Sequence, residues 1–149
     1  MQQGPEPDPF AQGRFGPELR QLASQRLRRG EELVDWAPGW VSTDGRFNAI
    51  LAARTWDLMV LTNRRVLLFS TGFFTRRPIR RVWAGRLDEM EAKSVPRRKG
   101  TAVVVTSFVY KPLRFEFGAD EQCDRFVAAF LAAVARERQK RHDQDAQRW

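Results

Sequence analysis

The chain has 149 residues and a formal net charge of +8, with 42% hydrophobic and 30% charged residues. That is one domain's worth, long enough to bury a core without disulfides or a structural metal, so neither a disulfide scaffold nor a disordered polyelectrolyte is expected. Of the 26 basic residues all but Lys93, Lys99, Lys111 and Lys140 are arginine. A coding bias swaps lysine for arginine but creates no excess over Asp and Glu, so the excess favours an anionic partner: nucleic acid, phospholipid surface or acidic protein.

The opening residues Met1 to Gly16 are rich in Pro, Gly and Gln and contain two aromatics, Phe10 and Phe15, which predicts a flexible tail that buries nothing alone. They are too polar for a secretory signal. Pro17 suits a first helical position, and Leu19, Leu22, Ala23 and Leu27 then fall on one stripe, predicting a short helix over 17–29 that Gly30 stops.

From about residue 31 to 117 the pattern turns to β. LVDWAPGWV, FNAILAAR, DLMVLTN, RVLLFST, RRPIRRVW, LDEMEAKSV, TAVVVTSFVY and LRFEF are short β-branched or aromatic runs separated by turn formers. Seven or eight such strands predict a mainly β fold, an antiparallel sandwich or barrel, rather than a βαβ sheet. Within it, Leu61 to Arg81 holds six arginines in three adjacent pairs and no acidic residue. The runs around Asn63 are apolar on both faces, as covered central strands are. Arg64 and Arg65 are therefore expected to project from the turn, with Asn63 at positive φ. Strand alternation would put Arg76 and Arg80 on one face and Arg77, Ile79 and Arg81 on the other. At the opposite end, Phe73 and Phe74 follow Gly72 and precede an arginine pair, a pattern with two readings: rings folded back over the rim of the core, or an interfacial wedge with rings in the acyl boundary and guanidiniums at phosphate level. Trp36, Trp40, Trp56 and Trp83 lie in separate strands among apolar neighbours and read as core.

The period changes again after Gly118. Cys123, Phe126, Val127, Phe130, Leu131 and Val134 form one apolar face, predicting an amphipathic helix over 120–137 with Asp120 as N-cap, acidic residues in its first turn and basic residues in its last. Such a face must close an open end of the β structure. Residues 138–149 are expected to fray as a polar tail. The longest apolar run, Phe126 to Ala135, is half of what a bilayer crossing requires.

Little in the sequence points to catalysis. His142 is the only histidine and lies past the apolar stripe; Ser70 and Ser107 have no histidine base in a folded element. Four zinc ligands of the usual kinds are absent, and no phosphate-binding glycine motif occurs. Asp88, Glu89 and Glu91 in LDEME read as a solvated strand edge. No cofactor, metal or enzymatic activity is expected, and the lone Cys123 fits a reducing, cytoplasmic setting.

The element order resembles that of the bacterial pleckstrin-homology-like (PH-like) domains. RRGEELVDWAPG is similar to that family's entry into its first strand, LMVLTNRRVLLFS to its central hairpin, TRRPIRRV to the basic strand after it, and LRFEFGADEQCDRFVAAFLAA to the last strand and final helix. The resemblance spans roughly Leu27 to Ala133. It implies a β-sandwich plugged by its C-terminal helix and a non-enzymatic binding or assembly role, but no ligand. The loop after WVSTDGRF carries one arginine and one aspartate, so a phosphoinositide motif around the first hairpin does not transfer. The functional expectation is an adaptor module that docks on phospholipid headgroups at the inner face of the plasma membrane, or on an acidic protein. Its contact residues would be Arg64, Arg65, Phe73, Phe74, Arg76, Arg77, Arg80 and Arg81. At about 1 kcal/mol per cation near an anionic surface, with a modest addition from the rings, the expected Kd is on the order of 10 to 100 µM. The alternative is a homo-oligomeric scaffold without a lipid ligand. Nucleic-acid binding ranks below both, because single-strand binders interleave aromatics and cations on an open face.

Overall fold

In the computed structural model, which describes residues 7–11, 13–43, 54–72, 75–107 and 111–148, the middle of the chain forms seven antiparallel strands. These are β1 (Leu33–Thr43), β2 (Thr55–Thr62), β3 (Arg65–Thr71), β4 (Pro78–Arg86), β5 (Met90–Pro96), β6 (Thr101–Ser107) and β7 (Leu113–Phe117). Helix α1 (Gly16–Ser24) precedes them and α2 (Glu121–Gln147) follows. The strand expected over Phe47 to Arg54 falls almost wholly in residues 44–53, outside the described residues.

The strand order is β4-β3-β2-β1-β7-β6-β5, so every neighbour is a hairpin partner except where β1 meets β7. A flat sheet would hold β4 and β7 four strand spacings apart, each about 4.8 Å. Instead the Trp83 ring of β4 lies edge-on to Phe115 of β7 at 6.3 Å between centroids, so the sheet curls strongly upon itself. The curled inner face and α2 share one core, in which Phe115, Phe117, Phe126 and Phe130 are fully buried. The predicted closing helix is thus integral to the fold.

The other face of β1–β3 carries a second core: Trp36, Leu58, Val60, Leu67 and Phe69 pack with Leu19 and Ala23 of α1 and with Phe10. This explains why β2 and β3 are apolar on both sides. It also corrects the expectation of a free tail through Gly16. Phe10 sits in a 3-10 turn (Pro9–Ala11) and is 2% exposed, and the Trp36 indole Nε1 donates to the Pro9 carbonyl at 2.9 Å. A ring in a core and a held carbonyl outweigh the disorder-prone composition.

Pro38 in mid-strand has a simple explanation. Pairing of β1 with β7 starts only at Trp40 opposite Glu116, so the missing Pro38 N–H breaks no ladder on that side. The carbonyls of Trp36 and Pro38 meet the start of α2 instead, where Gln122 Nε2 and Cys123 Sγ approach them at 3.2 and 3.9 Å.

At the N-terminus of α2, Asp120 caps as expected, its carboxylate accepting from the Cys123 N–H at 2.8 Å. The far end differs from expectation, because the helix continues to Gln147 with no basic residue in its last turn. Arg138 and Arg141 reach back to the Glu91 carboxylate and the Asp88 carbonyl at 2.9 and 3.1 Å. These contacts extend the helix past its last apolar residue in the core.

Candidate functional site

The arginine pairs do not form one surface. At the β2–β3 turn, Arg65 is 3% exposed and points inward, against the expectation that it projects. Its Nε and Nη2 donate to the two Glu31 oxygens at 2.9 and 2.7 Å, and Nη2 also donates to the Arg26 carbonyl at 2.9 Å. The Thr62 hydroxyl donates to Glu31 at 2.7 Å and accepts the Arg65 N–H at 2.8 Å. Burial raises the Glu31 carboxyl, but the Arg65 guanidinium, the Arg28 N–H and the Thr62 hydroxyl outweigh it and hold its pKa at about 2, below the ordinary 4.5. Asn63 does not supply a positive φ either; its amide instead bonds the Glu32 N–H and the Gly30 carbonyl at 2.9 and 3.2 Å. This end of the fold is a structural clasp, and only Arg64 of its pair is exposed.

At the other end, Arg76 and Arg77 precede β4 rather than lying in it. Arg76 has φ +56, a left-handed conformation that costs energy for any residue with a Cβ, and is the one such non-glycine among the described residues. Its guanidinium lies 4.8 Å from the centre of the Trp56 ring and 5.7 Å from that of Trp40, and the two indoles meet edge to face at 5.2 Å. Arg54 also stands over Trp40, at 5.1 Å, while pairing with Glu116. Arg76 takes no described carboxylate partner. Arg77 pairs with Glu18 of α1 at 3.4 Å. Trp40 and Trp56 are therefore not core residues: they continue the outer sheet face beyond the part that α1 covers.

Two cavities share Trp40, Trp56 and Arg76. One, of about 330 Å³, is walled by Phe15, Trp36, Pro38 and Leu58 with Arg14 at hand. The other, of about 380 Å³, is lined by Arg54, Thr55, Asp57, Ser70 and Thr71. Asp57 is 4% exposed, and among the described residues its carboxylate meets only the Thr55 hydroxyl, at 3.2 Å. Burial pushes its pKa above the ordinary carboxylate value against the opposing pull of Thr55.

Along β4, register shifts between Leu68 and Phe69 and between Ser70 and Thr71 interrupt the pairing with β3. Strict alternation therefore fails, and Arg80 and Arg81 are both exposed. Ile79 and Val82, the residues skipped in the register, are 57% and 47% exposed. Neither Arg80 nor Arg81 has a described ion-pair partner. The outcome is an edge strand whose surface alternates guanidiniums with aliphatic groups. Phe73 and Phe74, on which the wedge expectation rests, lie outside the described residues.

A third cavity, of about 470 Å³, lies between the C-terminal part of α2 and β5–β6, lined by Asp88, Glu91, Arg138, Arg141 and His142. Its charges are of both signs and partly pair with each other, Arg138 with Glu91 at 2.9 Å. No group of three or more His, Cys, Asp or Glu suited to a metal ion occurs among the described residues. Cys123 is buried, and burial, with Asp120 and Asp124 nearby, pushes its thiol up to about 12, which leaves it inert.

No protein-family model and no curated protein sequence matches the chain. Solved structures do. A DUF1696-family protein with a pleckstrin-homology domain from Shewanella loihica superposes with a TM-score of 0.51 at 15% identity, over 82% of this chain and 92% of that one. The fold is PH-like. The C-terminal domain of an unknown protein from Leishmania infantum matches with a TM-score of 0.52 at 14% identity, covering 80% of this PH-like chain and 96% of that domain. A Vav1 structure matches with a TM-score of 0.57 at 10% identity over 78% of this chain, which spans only 32% of the Vav1 chain. At these identities the likeness is one of fold alone. No helix among the described residues is long and apolar enough to cross a membrane.

Sequence reasoning missed Trp40, Trp56, Arg54 and Asp57. The parity of Trp36, Trp40, Trp56 and Leu58 does place them on one sheet face. What it does not tell is how far along that face α1 reaches.

Proposed function

We propose that this PH-like domain docks reversibly on an anionic phospholipid surface through the β4 edge and the adjoining β3–β4 hairpin. One observation carries the reading: Ile79 and Val82 stand in solvent on either side of the exposed Arg80 and Arg81 on a single edge strand. Aliphatic groups on a bulged, exposed edge have no role in the core, and flanking guanidiniums at phosphate level would let them enter the headgroup boundary. An acidic protein alone would call for the cations without the aliphatic residues. The bulges also twist the edge away from simple strand addition, which weighs against a scaffold built through β4.

The test is co-sedimentation with neutral and with anionic vesicles across a salt series. Binding to anionic vesicles is expected to fall steeply towards physiological salt, where screening acts over about 8 Å. The double variants Arg80→Glu with Arg81→Glu and Ile79→Ser with Val82→Ser should each abolish it at unchanged melting temperature. Binding that ignores salt and both variants would contradict the reading, as would concentration-dependent oligomers with no affinity for vesicles.

A further inference from the structure

The outer sheet face beyond α1 interleaves rings with cations. Trp56, Trp40, Glu116 and Ala102 are successive register partners across β2, β1, β7 and β6, so they form one row at strand spacings of about 4.8 Å. α1 and Phe10 cover this face around Trp36 and Val60, whereas Trp40 and Trp56 stay half-buried beyond them. Each of these two indoles carries a guanidinium, Arg76 on Trp56 at 4.8 Å and Arg54 on Trp40 at 5.1 Å. At the N-terminus of α1, Phe15 walls the groove that both indoles line, with Arg14 over its ring at 5.2 Å. On the far side of Trp40, Arg97 and Arg114 approach the Glu116 carboxylate at 3.5 and 3.1 Å, and Arg54 pairs with the same group. Three guanidiniums thus share one carboxylate, and a positive excess remains along the row.

We infer that this face binds single-stranded nucleic acid, with bases on Trp40, Trp56 and Phe15 and phosphates on Arg14, Arg76 and the guanidiniums gathered at Glu116. The inference is independent of the membrane-docking reading, which uses the β4 edge. Single-strand binders combine a cationic track with aromatic platforms. What counted against that class was the expectation that the tryptophans are core, and two of them lie on the outer face instead. The pairing of rings with cations selects the occupant. A base that takes a guanidinium's place on an indole keeps a π-face against the ring and frees the cation for the adjoining phosphate. A proline-rich peptide would use the rings but not the arginines. A bilayer would use the arginines, but rings laid along a sheet beside an ion-paired cluster present no wedge to it. A duplex keeps its base faces stacked inside and offers none to Trp40 or Trp56. The row has room for about four nucleotides, the lower end of the range for such sites.

Fluorescence anisotropy with labelled oligothymidine and oligouridine of about ten nucleotides, longer than the site, and with a duplex of equal length tests the inference. The wild type is expected to bind single strands more tightly than duplex, and the tighter of the two strands names DNA or RNA as the source. Affinity should fall about 15-fold between 50 and 200 mM salt, as about three phosphate contacts require. Trp40→Leu and Trp56→Leu, which keep an apolar side chain over the sheet, should each weaken single-strand binding by about 5- to 100-fold, the loss of one stacked base, at unchanged duplex affinity. Glu116→Gln frees its guanidiniums for phosphates and should tighten binding and steepen the salt dependence. Should a tryptophan variant fail to fold, Glu116→Gln and the wild-type preference for single strands still decide. A chain of net charge +8 that binds through charge alone would hold duplex at least as well as single strands and ignore both indoles, and that result would overturn the inference. Glu116→Gln that weakens binding or leaves it unaltered would overturn it too. Arg80→Glu with Arg81→Glu, which should abolish vesicle binding, should leave strand binding in place, so either reading can fail without the other.

Discussion

Replacing Glu31 by Gln tests whether the arginine pair at the β2–β3 turn is a clasp rather than a contact surface. The Glu31 side chain is sealed from solvent and the Arg65 side chain is 4% exposed, so the substitution strands a guanidinium in a buried site. Removing one member of such a pair costs about 3–5 kcal/mol. For a domain of this size that is a fall in melting temperature on the order of 10 °C. The pH dependence gives a second handle on the same interaction. A carboxyl held at about 2 when folded and near 4.5 when unfolded stabilises the fold above pH 4.5, and loses that contribution as the pH falls towards 2. The difference is worth on the order of 3 kcal/mol. Chemical denaturation at neutral pH and through that acid window should show the wild type losing more stability on acidification than Glu31→Gln. A double variant, Glu31→Gln with Arg65→Met, should recover part of the loss because it removes the stranded charge. A Glu31→Gln protein that melts within 2 °C of the wild type, with an unchanged acid limb, would refute the clasp and return Arg65 to the surface.

The two hydrophobic cores make separate claims. Phe10→Ala should cost about 3–5 kcal/mol in chemical denaturation, because the ring is 2% exposed in the core between α1 and the sheet. A neutral result would mean that the N-terminal segment is a tail after all. Phe130→Ala should cost a similar amount from the opposite core, where its ring stacks on Phe126 at 6.2 Å and meets Phe115 at the same distance. An unchanged midpoint there would deny that α2 closes the sheet.

How much was legible in the sequence depended on how local the deciding interaction was. Apart from the run over Phe47 to Arg54, which lies outside the described residues, and Leu87–Glu89, which form a 3-10 turn before β5, the strand runs, the Asp120 cap and the apolar stripe from Cys123 to Val134 are set by periodicity and near-neighbour chemistry and stand where the residues indicated. Phe10 was misread because composition describes a segment's tendency to fold alone, whereas this ring is buried by a sheet face formed later in the chain. Arg65 was misread for the same reason: its partner Glu31 lies 34 residues away, before β1. The alternation expected for Arg76 to Arg81 failed where two register shifts interrupt it, and bulges leave little trace in a run of arginines. The Trp40–Trp56 corner was hidden by a different limit. Burial on a half-covered sheet face depends on where the covering helix ends, and nothing within β1 or β2 reports the length of α1.

The central claim is that the β4 edge faces the bilayer. Spin labels on single introduced cysteines test it directly, since buried Cys123, with its thiol at about 12, should stay unlabelled in the native protein. A label at Val82→Cys on anionic vesicles should become accessible to a lipid-phase relaxation agent and protected from an aqueous one, while a label at Arg98→Cys, in the β5–β6 turn, should stay aqueous. A vesicle-bound protein in which position 82 remains in water, or position 98 enters the lipid, would contradict the account.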